Sequence, residues 1–500
     1  MEHEPHKLTI LEDLRKSIIR LKESNNASRY HHVINKSSSS DLNTPSSDCN
    51  SWIKSRVISS IKCHESTCKD AIAAALKTEE ERDSFLQSFW ARDDRRFDSI
   101  NISEYSPPKS SLDSNLDSIR SISASEFKKE FLNTNKPCII KNIPMPITSE
   151  WYNETSGVIN TKWFLDHIGA CTNVPVRINQ EGFVNGRATE CITEQTSMQE
   201  WISHKRFDPK YYLKDWHMQS LFPKKLYDTP IIFPDVLNPF LMDVDGGEYM
   251  FVYWGCKGSS TSLHSDVLNS FSWSFNVIGK KLWTFYPMED YSKDETDDSS
   301  DDETNTKTAK IIQETGDMIY VPSGWRHEVI NLEETISVNH NWISAGSLDC
   351  VWECLVNEIG AIEEELIGWG LDSGSHLSFQ LNHMRENMLR GCVGMDVSTL
   401  CVLLIRIFID RLAIVTDENI QEKDKIWNAW FEFSRVLLIV DTILYDDSKS
   451  IDDTDASAGL HIFLKGRLRS TLGEDDANEL MSILVMIRDI CREVLSLAQK

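Results

Sequence analysis

Thr261-Ser-Leu-His-Ser-Asp266 is the stretch on which the reading of this chain turns. His264 is the only histidine followed two residues later by a carboxylate. With 14 histidines and 77 acidic residues in 500, chance alone supplies about two such pairs, so the pair by itself carries no weight. Its surroundings give it weight. Residues i and i+2 of an extended strand share one face, so an imidazole and a carboxylate at that spacing can converge on one metal ion. Glycines at 255 and 258 precede the pair, and an aromatic strand, Phe271-Ser-Trp-Ser-Phe275, follows it.

A second imidazole is needed, and Gly316-Asp-Met-Ile-Tyr-Val-Pro-Ser-Gly-Trp-Arg-His327 provides one. A Gly-Asp turn, a short strand and Pro-Ser-Gly would bring the chain around to present His327 inward. Asp317 is expected to serve the turn, not a metal. Two histidines and one carboxylate form the facial triad of non-haem Fe(II) oxygenases, which leaves coordination positions open. The rival readings are a structural histidine at a barrel rim and a triad that binds another metal.

Outward from these segments, residues 121–346 read as β-rich. Pro137–Ile143, Val174–Asn179, Met250–Gly255, Ser270–Val277, Lys281–Tyr286, Met318–Val321 and Thr335–Trp342 are short, aromatic or β-branched runs, many separated by turn residues. That pattern predicts a barrel or sandwich. Residues 289–303 interrupt it with nine acidic residues and one lysine, and such a run predicts a solvated loop inserted between two strands. Residues 347–500 show apolar residues at helical spacing in Leu348–Trp369, Val397–Val415, Ile426–Tyr445 and Glu479–Leu497, with an acidic loop at 446–458. This predicts a helical domain with little polar chemistry. Residues 1–120 are uneven, with polar linkers between helix-biased stretches, and are expected to be a poorly ordered, partly helical extension. Cys63-x4-Cys68 lacks a partner pair and reads as helix-surface cysteines.

Composition narrows the class of function. The net charge of −25 excludes a globally basic nucleic-acid surface and favours basic protein or peptide partners. Twelve cysteines without a Cys-x-x-Cys pair argue against a disulfide framework and fit a reducing compartment. The first thirty residues lack an apolar signal core, and the longest apolar run, 400–409, is broken by Arg406. The expectation is a protein with no membrane segment, located in the cytoplasm, with the nucleus as the alternative.

The resemblance becomes specific when the blocks are set together. They are Tyr211-Tyr-Leu-Lys-Asp-Trp-His217, Phe251-Val-Tyr-Trp-Gly255, Thr261 to Asp266, Gly279-Lys-Lys-Leu-Trp-Thr-Phe-Tyr-Pro287, Val321-Pro-Ser-Gly-Trp-Arg-His-Glu-Val329 and Asn331 to Trp342. Residues 121–346 resemble a JmjC domain. The resemblance implies an α+β chain whose core is a double-stranded β-helix of the cupin (jelly-roll) class, with an N-terminal extension and a C-terminal helical region. It implies Fe(II), 2-oxoglutarate and O2, with His264, Asp266 and His327 matching the iron ligands. Lys281, seventeen residues after His264, matches the lysine that pairs with the distal carboxylate of 2-oxoglutarate. Thr261 matches a hydroxyl and Tyr212 a phenol that bind the same carboxylate. Asn339 and Asn341 lie where the family places polar cosubstrate contacts, and some members carry Asn at the position of Ser274. His217, His340, Trp273 and Trp325 read as structural.

Within the family, the resemblance is to members that hydroxylate a lysine of the translation termination (release) factor. The implied partner is therefore a protein, without direct nucleic-acid contact. A histone lysine demethylase is the alternative, although no chromatin-reader cysteine cluster accompanies the domain. A non-enzymatic cupin-like scaffold is the other, and the complete triad with Lys281 weighs against it.

Overall fold

The computed structural model describes residues 103–105, 127–132, 135–141, 150–153, 155–178, 183–184, 187–188, 192–244, 248–286, 308–371, 379–416, 423–444, 464, 467–469, 472 and 474–498. The N-terminal extension apart from 103–105, the Cys63-x4-Cys68 pair, the acidic insertion at 289–303 and the acidic loop at 446–458 lie outside the described residues.

The chain forms two compact units. One runs to Asp235 and resumes over Glu248–Ser344; the other comprises Val236–Gly247 and the chain from Ala345 onward. The helix Leu237–Val244, which falls inside the span 121–346, therefore groups with the C-terminal helices.

The first unit is built on two antiparallel sheets. Thirteen strands make them, in chain order: β1 (Ser103–Tyr105), β2 (Cys138–Ile140), β3 (Asn173–Ile178), β4 (Ile192–Ser197), β5 (Tyr211–Trp216), β6 (Met250–Gly255), β7 (Ser260–His264), β8 (Phe271–Ile278), β9 (Lys281–Tyr286), β10 (Ala309–Gln313), β11 (Met318–Val321), β12 (Arg326–Asn331) and β13 (Thr335–Trp342). The nine-stranded sheet has the order β1-β2-β11-β8-β13-β6-β5-β3-β4, and the four-stranded sheet the order β7-β12-β9-β10. Pairing is antiparallel throughout except for β1 with β2. From β6 to β13 the chain passes repeatedly between the two sheets.

The sequence of β8 and β13 shows why the sheets enclose an interior. Both strands are buried along their whole length. Phe271 lies opposite Trp342, Trp273 opposite His340 and Phe275 opposite Val338, all on one face. Those rings and aliphatic groups join the large core cluster with Trp151, Phe164, Trp201 and Phe233. The other face carries Ser272 opposite Asn341, Ser274 opposite Asn339 and Asn276 opposite Ser337. Small polar side chains thus face inward while the aromatic ones face the outer layer. A smaller core cluster closes the interior: Trp283, Phe285 and Val329 of the four-stranded sheet pack with Ile139, Ile319 and Val321 of the nine-stranded one.

Two turns set the positions of β9 and β11. Gly279 ends β8 at φ +90, and a Cβ there would lie 2.1 Å from the Glu334 carbonyl oxygen. Only glycine fits that turn, which delivers Lys281 to the start of β9. After Gly316, Asp317 is buried; its carboxylate accepts from the Glu314 amide and from Lys141 Nζ, both at 2.9 Å. Asp317 thus anchors the turn that leads into β11.

In the second unit the helices are α1 (Leu237–Val244), α2 (Leu348–Gly368), α3 (Phe379–Val393), α4 (Val397–Thr416), α5 (Lys423–Ile443) and α6 (Glu474–Ala498). α3 escapes apolar periodicity because its buried side includes Asn382, Arg385 and Glu386. Arg385 donates twice to Glu363 at 2.8 Å, and Arg467 pairs with Glu386. The expectation of little polar chemistry in this tail is corrected: charges that look solvent-facing by pattern are paired inside. Among the described residues, no single helix is long and apolar enough to cross a membrane.

Candidate active site

β7 and β12 pair so that His264 lies directly opposite His327. The two imidazole centroids are 4.4 Å apart. Strand β7 ends at His264, and Asp266 stands just beyond it, before the short helical turn Val267–Asn269. Its backbone stays extended at φ −66, ψ 146, so the i, i+2 relation survives although the strand itself does not reach it. Potential ligand atoms of His264, Asp266 and His327 all lie within 4.8 Å of one another. Among the described residues, this is the one such cluster of three or more His, Cys, Asp or Glu.

The hydrogen bonds prepare these groups for a cation. His264 Nδ1 lies 2.9 Å from the Ser262 carbonyl, and His327 Nδ1 lies 3.2 Å from that of Trp325. A carbonyl only accepts, so each Nδ1 carries the proton and each neutral ring keeps its lone pair on Nε2. Ser272 Oγ donates to Asp266 Oδ2 at 2.7 Å and fixes the carboxylate. Burial, reinforced by the charge of His327 and opposed by Asp266, pulls the His264 imidazole down to about 4. Burial lowers His327 as well. Both rings are therefore neutral and able to coordinate at ordinary pH. Two imidazole nitrogens and one carboxylate suit ferrous iron.

The other expected residues gather beside this triad. Tyr212, Thr261, Lys281, Asn339 and Asn341 line one cavity with His264, Asp266 and His327, enclosing about 440 Å³ including its open mouth. Lys281 is 1% exposed, and its Nζ donates to Ser337 Oγ at 2.7 Å. Burial, with a smaller contribution from the charge of Lys214, brings its ammonium down to about 7. Burial keeps the Tyr212 phenol protonated, far above its ordinary range. The close approach of Gly255 accommodates that ring: a Cβ there would lie 2.7 Å from Tyr212 Cδ2. Asn339 Nδ2 donates to Ser337 Oγ at 3.0 Å, and Asn341 Nδ2 to Ser270 Oγ at 3.2 Å. Ser274 Oγ is a buried cavity-lining hydroxyl without a protein partner. An orphaned buried hydroxyl here fits a pocket built to receive a polar ligand.

Of the residues read as structural, His340 and Trp325 are so placed, whereas Trp273 also lines the cavity and His217 is exposed. His340 turns to the outer core, where it stacks on Trp273 at 4.1 Å and meets the Tyr227 hydroxyl at 2.7 Å. Trp325 Nε1 donates to the Asn135 carbonyl at 2.9 Å. His217 lies 4.0 Å from Glu248.

Sequence reasoning missed Lys214, Tyr253, Ser272 and Trp283 in the cavity wall. Lys214 was legible in one respect: it follows Tyr212 by two residues on β5 and so shares its face.

Comparison with known proteins agrees with this geometry. Residues 247–345 match the JmjC domain family. The chain is 33% identical over 327 residues to the 2-oxoglutarate and iron-dependent oxygenase JMJD4 of Danio rerio, covering 59% of this chain and 75% of that protein. It is 30% identical over 386 residues to the JMJD4 of Gallus gallus, covering 68% and 88%. It is also 32% identical over 283 residues to the arginine-specific demethylase JMJ20 of Arabidopsis thaliana, covering 49% and 61%.

Proposed function

The chain belongs to the JmjC-domain family of 2-oxoglutarate and iron-dependent oxygenases, and we propose that it hydroxylates a protein side chain, a lysine of a translation release factor. One observation carries the chemistry: the ligand triad and Lys281 open onto a single cavity. The passage of eight strands, β6 to β13, between two sheets supports the double-stranded β-helix of that family. The choice of substrate rests on the resemblance to the release-factor hydroxylases and on the reach of the JMJD4 likeness, 386 residues against the 99 of the JmjC match. The net charge of −25 suits a basic protein surface. We place the reaction in the cytoplasm, where a release factor works.

His264, Asp266 and His327 would hold the iron. With 2-oxoglutarate and O2 the bound iron supplies the oxidation, in which 2-oxoglutarate becomes succinate and CO2, one oxygen atom enters succinate and the other a substrate C–H bond. The chain's own residues bind and orient. Lys281 gives a point charge to the distal carboxylate, with Thr261 and Tyr212 as hydroxyl donors. Asn339, Asn341 and Ser274 offer polar contacts along the same wall. Ser272 keeps Asp266 from rotating, and Trp283 and Val329 limit water.

Lys281 makes cosubstrate binding pH-dependent. Its ammonium titrates near 7 in the free protein, and an anion beside it raises that value. Below pH 7 the charge is already present; above it, binding must take up a proton. Affinity for 2-oxoglutarate should therefore weaken above about pH 7, by up to about tenfold per pH unit. Calorimetric titration of Mn(II)-loaded protein from about pH 6 to about pH 9 checks this, and a flat profile would contradict it.

The arginine-demethylase likeness gives a second reading, removal of an N-methyl group by the same oxidation. Product mass separates the two. Incubating the enzyme with Fe(II), 2-oxoglutarate and release factor should add about 16 Da to a lysine-containing peptide, the mass of one oxygen atom. A loss of about 14 Da from a methylated arginine, with formaldehyde, would favour demethylation. Neither change would remove the release factor as substrate.

A further inference from the structure

We propose that Lys214 is a second cation for the 2-oxoglutarate dianion, binding the carboxylate next to the keto group while Lys281 binds the far one. This rests on the cosubstrate reading of the cavity and extends it to a residue outside the matched family positions.

The backbone is built to place this lysine. Val252 lies opposite Trp216, but Trp254 lies opposite Leu213, so two residues of β6 span three of β5. The extra residue is a β-bulge, and Asp215 within it takes a left-handed φ of 57. Strict alternation would put Trp216 on the same face as Tyr212 and Lys214. The bulge returns both Leu213 and Trp216 to the outer core and leaves Tyr212 and Lys214 on the cavity wall. A non-glycine residue in that conformation is strained and persists only where its surroundings hold it. Here the Tyr253 hydroxyl donates to Asp215 Oδ1 at 2.9 Å, and Arg177 stands 4.0 Å from the same carboxylate. The Tyr253 ring then carries Lys214 Nζ 5.4 Å from its centroid. One tyrosine thus braces the bulge and supports the lysine that the bulge aims.

The charges of the cavity call for an anion. Lys214 is 6% exposed and Lys281 1%. Asp266 is the one carboxylate among the described residues lining the cavity, and a metal dication would add two further positive charges. A dianion whose two ends meet different cations offsets most of that positive charge. Lys214 lines the cavity together with His264 and His327 at the metal end and with Lys281 at the far end.

Two probes test the assignment on full-length Mn(II)-loaded protein by calorimetry: 2-oxoglutarate, and 2-oxobutyrate, which keeps the keto acid and lacks the far carboxylate. Lys281→Met should weaken 2-oxoglutarate and leave 2-oxobutyrate unchanged. Lys214→Met should weaken both, by at least about tenfold, the loss of one charge-assisted contact. Mn(II) stoichiometry should stay at the wild-type value, and neither variant should melt lower than wild type. Lys214→Gln, which removes the charge and keeps a donor, serves if the methionine variant does not fold. Unchanged affinity for both probes overturns the proposal, and so does a loss confined to 2-oxoglutarate, which would put Lys214 at the far carboxylate. Failure of the wild type to bind 2-oxoglutarate at all would instead remove the cosubstrate reading on which the proposal stands.

Discussion

His264→Ala combined with Asp266→Ala should abolish 2-oxoglutarate turnover and stoichiometric iron binding while leaving the fold intact. One imidazole, His327, would remain of the three ligands. Loss of a group that merely orients a ligand costs about 10- to 100-fold in metal affinity or activity, so loss of two ligands should exceed that range. The fold should survive because the variant removes groups at the cavity, whereas the core lies in the outer aromatic cluster and the smaller inter-sheet cluster. Asp317→Asn is the control. That carboxylate anchors the turn through Glu314 and Lys141 and lies outside the cavity wall, so activity should largely persist. Equal loss in Asp266→Asn and Asp317→Asn, or wild-type turnover in the double variant supplied with iron, would remove the triad assignment.

Lys281→Met should raise the 2-oxoglutarate dissociation constant far more than it alters iron content. Removing one partner of a buried charge pair costs about 2–5 kcal/mol, which is roughly 30- to several-thousandfold in affinity. The same variant should behave oppositely in stability. The folded-state value near 7 lies below the ordinary lysine value of 10.5. Between them the unfolded chain holds more protons, so stability rises with pH, and at neutral pH the buried lysine opposes folding. Methionine has no charge to bury. The metal-free variant should therefore melt no lower than wild type near pH 7. A variant that melts lower and loses 2-oxoglutarate binding in proportion would mean that Lys281 is structural.

The triad was legible because its two histidines sit in blocks whose glycines and aromatic residues define their own turns and strands. Lys281 was legible through the JmjC resemblance of the block that begins at Gly279, and the positive-φ turn there fixes where β9 begins. Strands with one apolar and one polar face, such as β8 and β13, were visible from their apolar half. Their polar half, Ser272 and Ser274 facing Asn341 and Asn339, became meaningful only once both faces proved to be buried. β4 reads Ile-Thr-Glu-Gln-Thr-Ser on a sheet edge, too polar to stand out as a strand. β7, β10 and β12 carry exposed or mixed residues, including Leu263, Ile312 and Ile330, on the open side of the four-stranded sheet. Lys214 shares the face of Tyr212 by simple alternation; what no local motif announces is the bulge at Asp215, which turns Trp216 off that face. The helix over Phe379–Val393 was hidden by its own buried ion pairs.

The most direct test of the central claim, that one cavity holds both iron and 2-oxoglutarate, is an anaerobic titration of metal-free protein. Fe(II) is added first and 2-oxoglutarate second, with heat and bound metal recorded at each step. One iron per chain should bind, and 2-oxoglutarate should bind tightly only after iron is present, with both lost in the His264→Ala, Asp266→Ala variant. Equal 2-oxoglutarate affinity with and without iron, or unchanged iron stoichiometry in that variant, would contradict it.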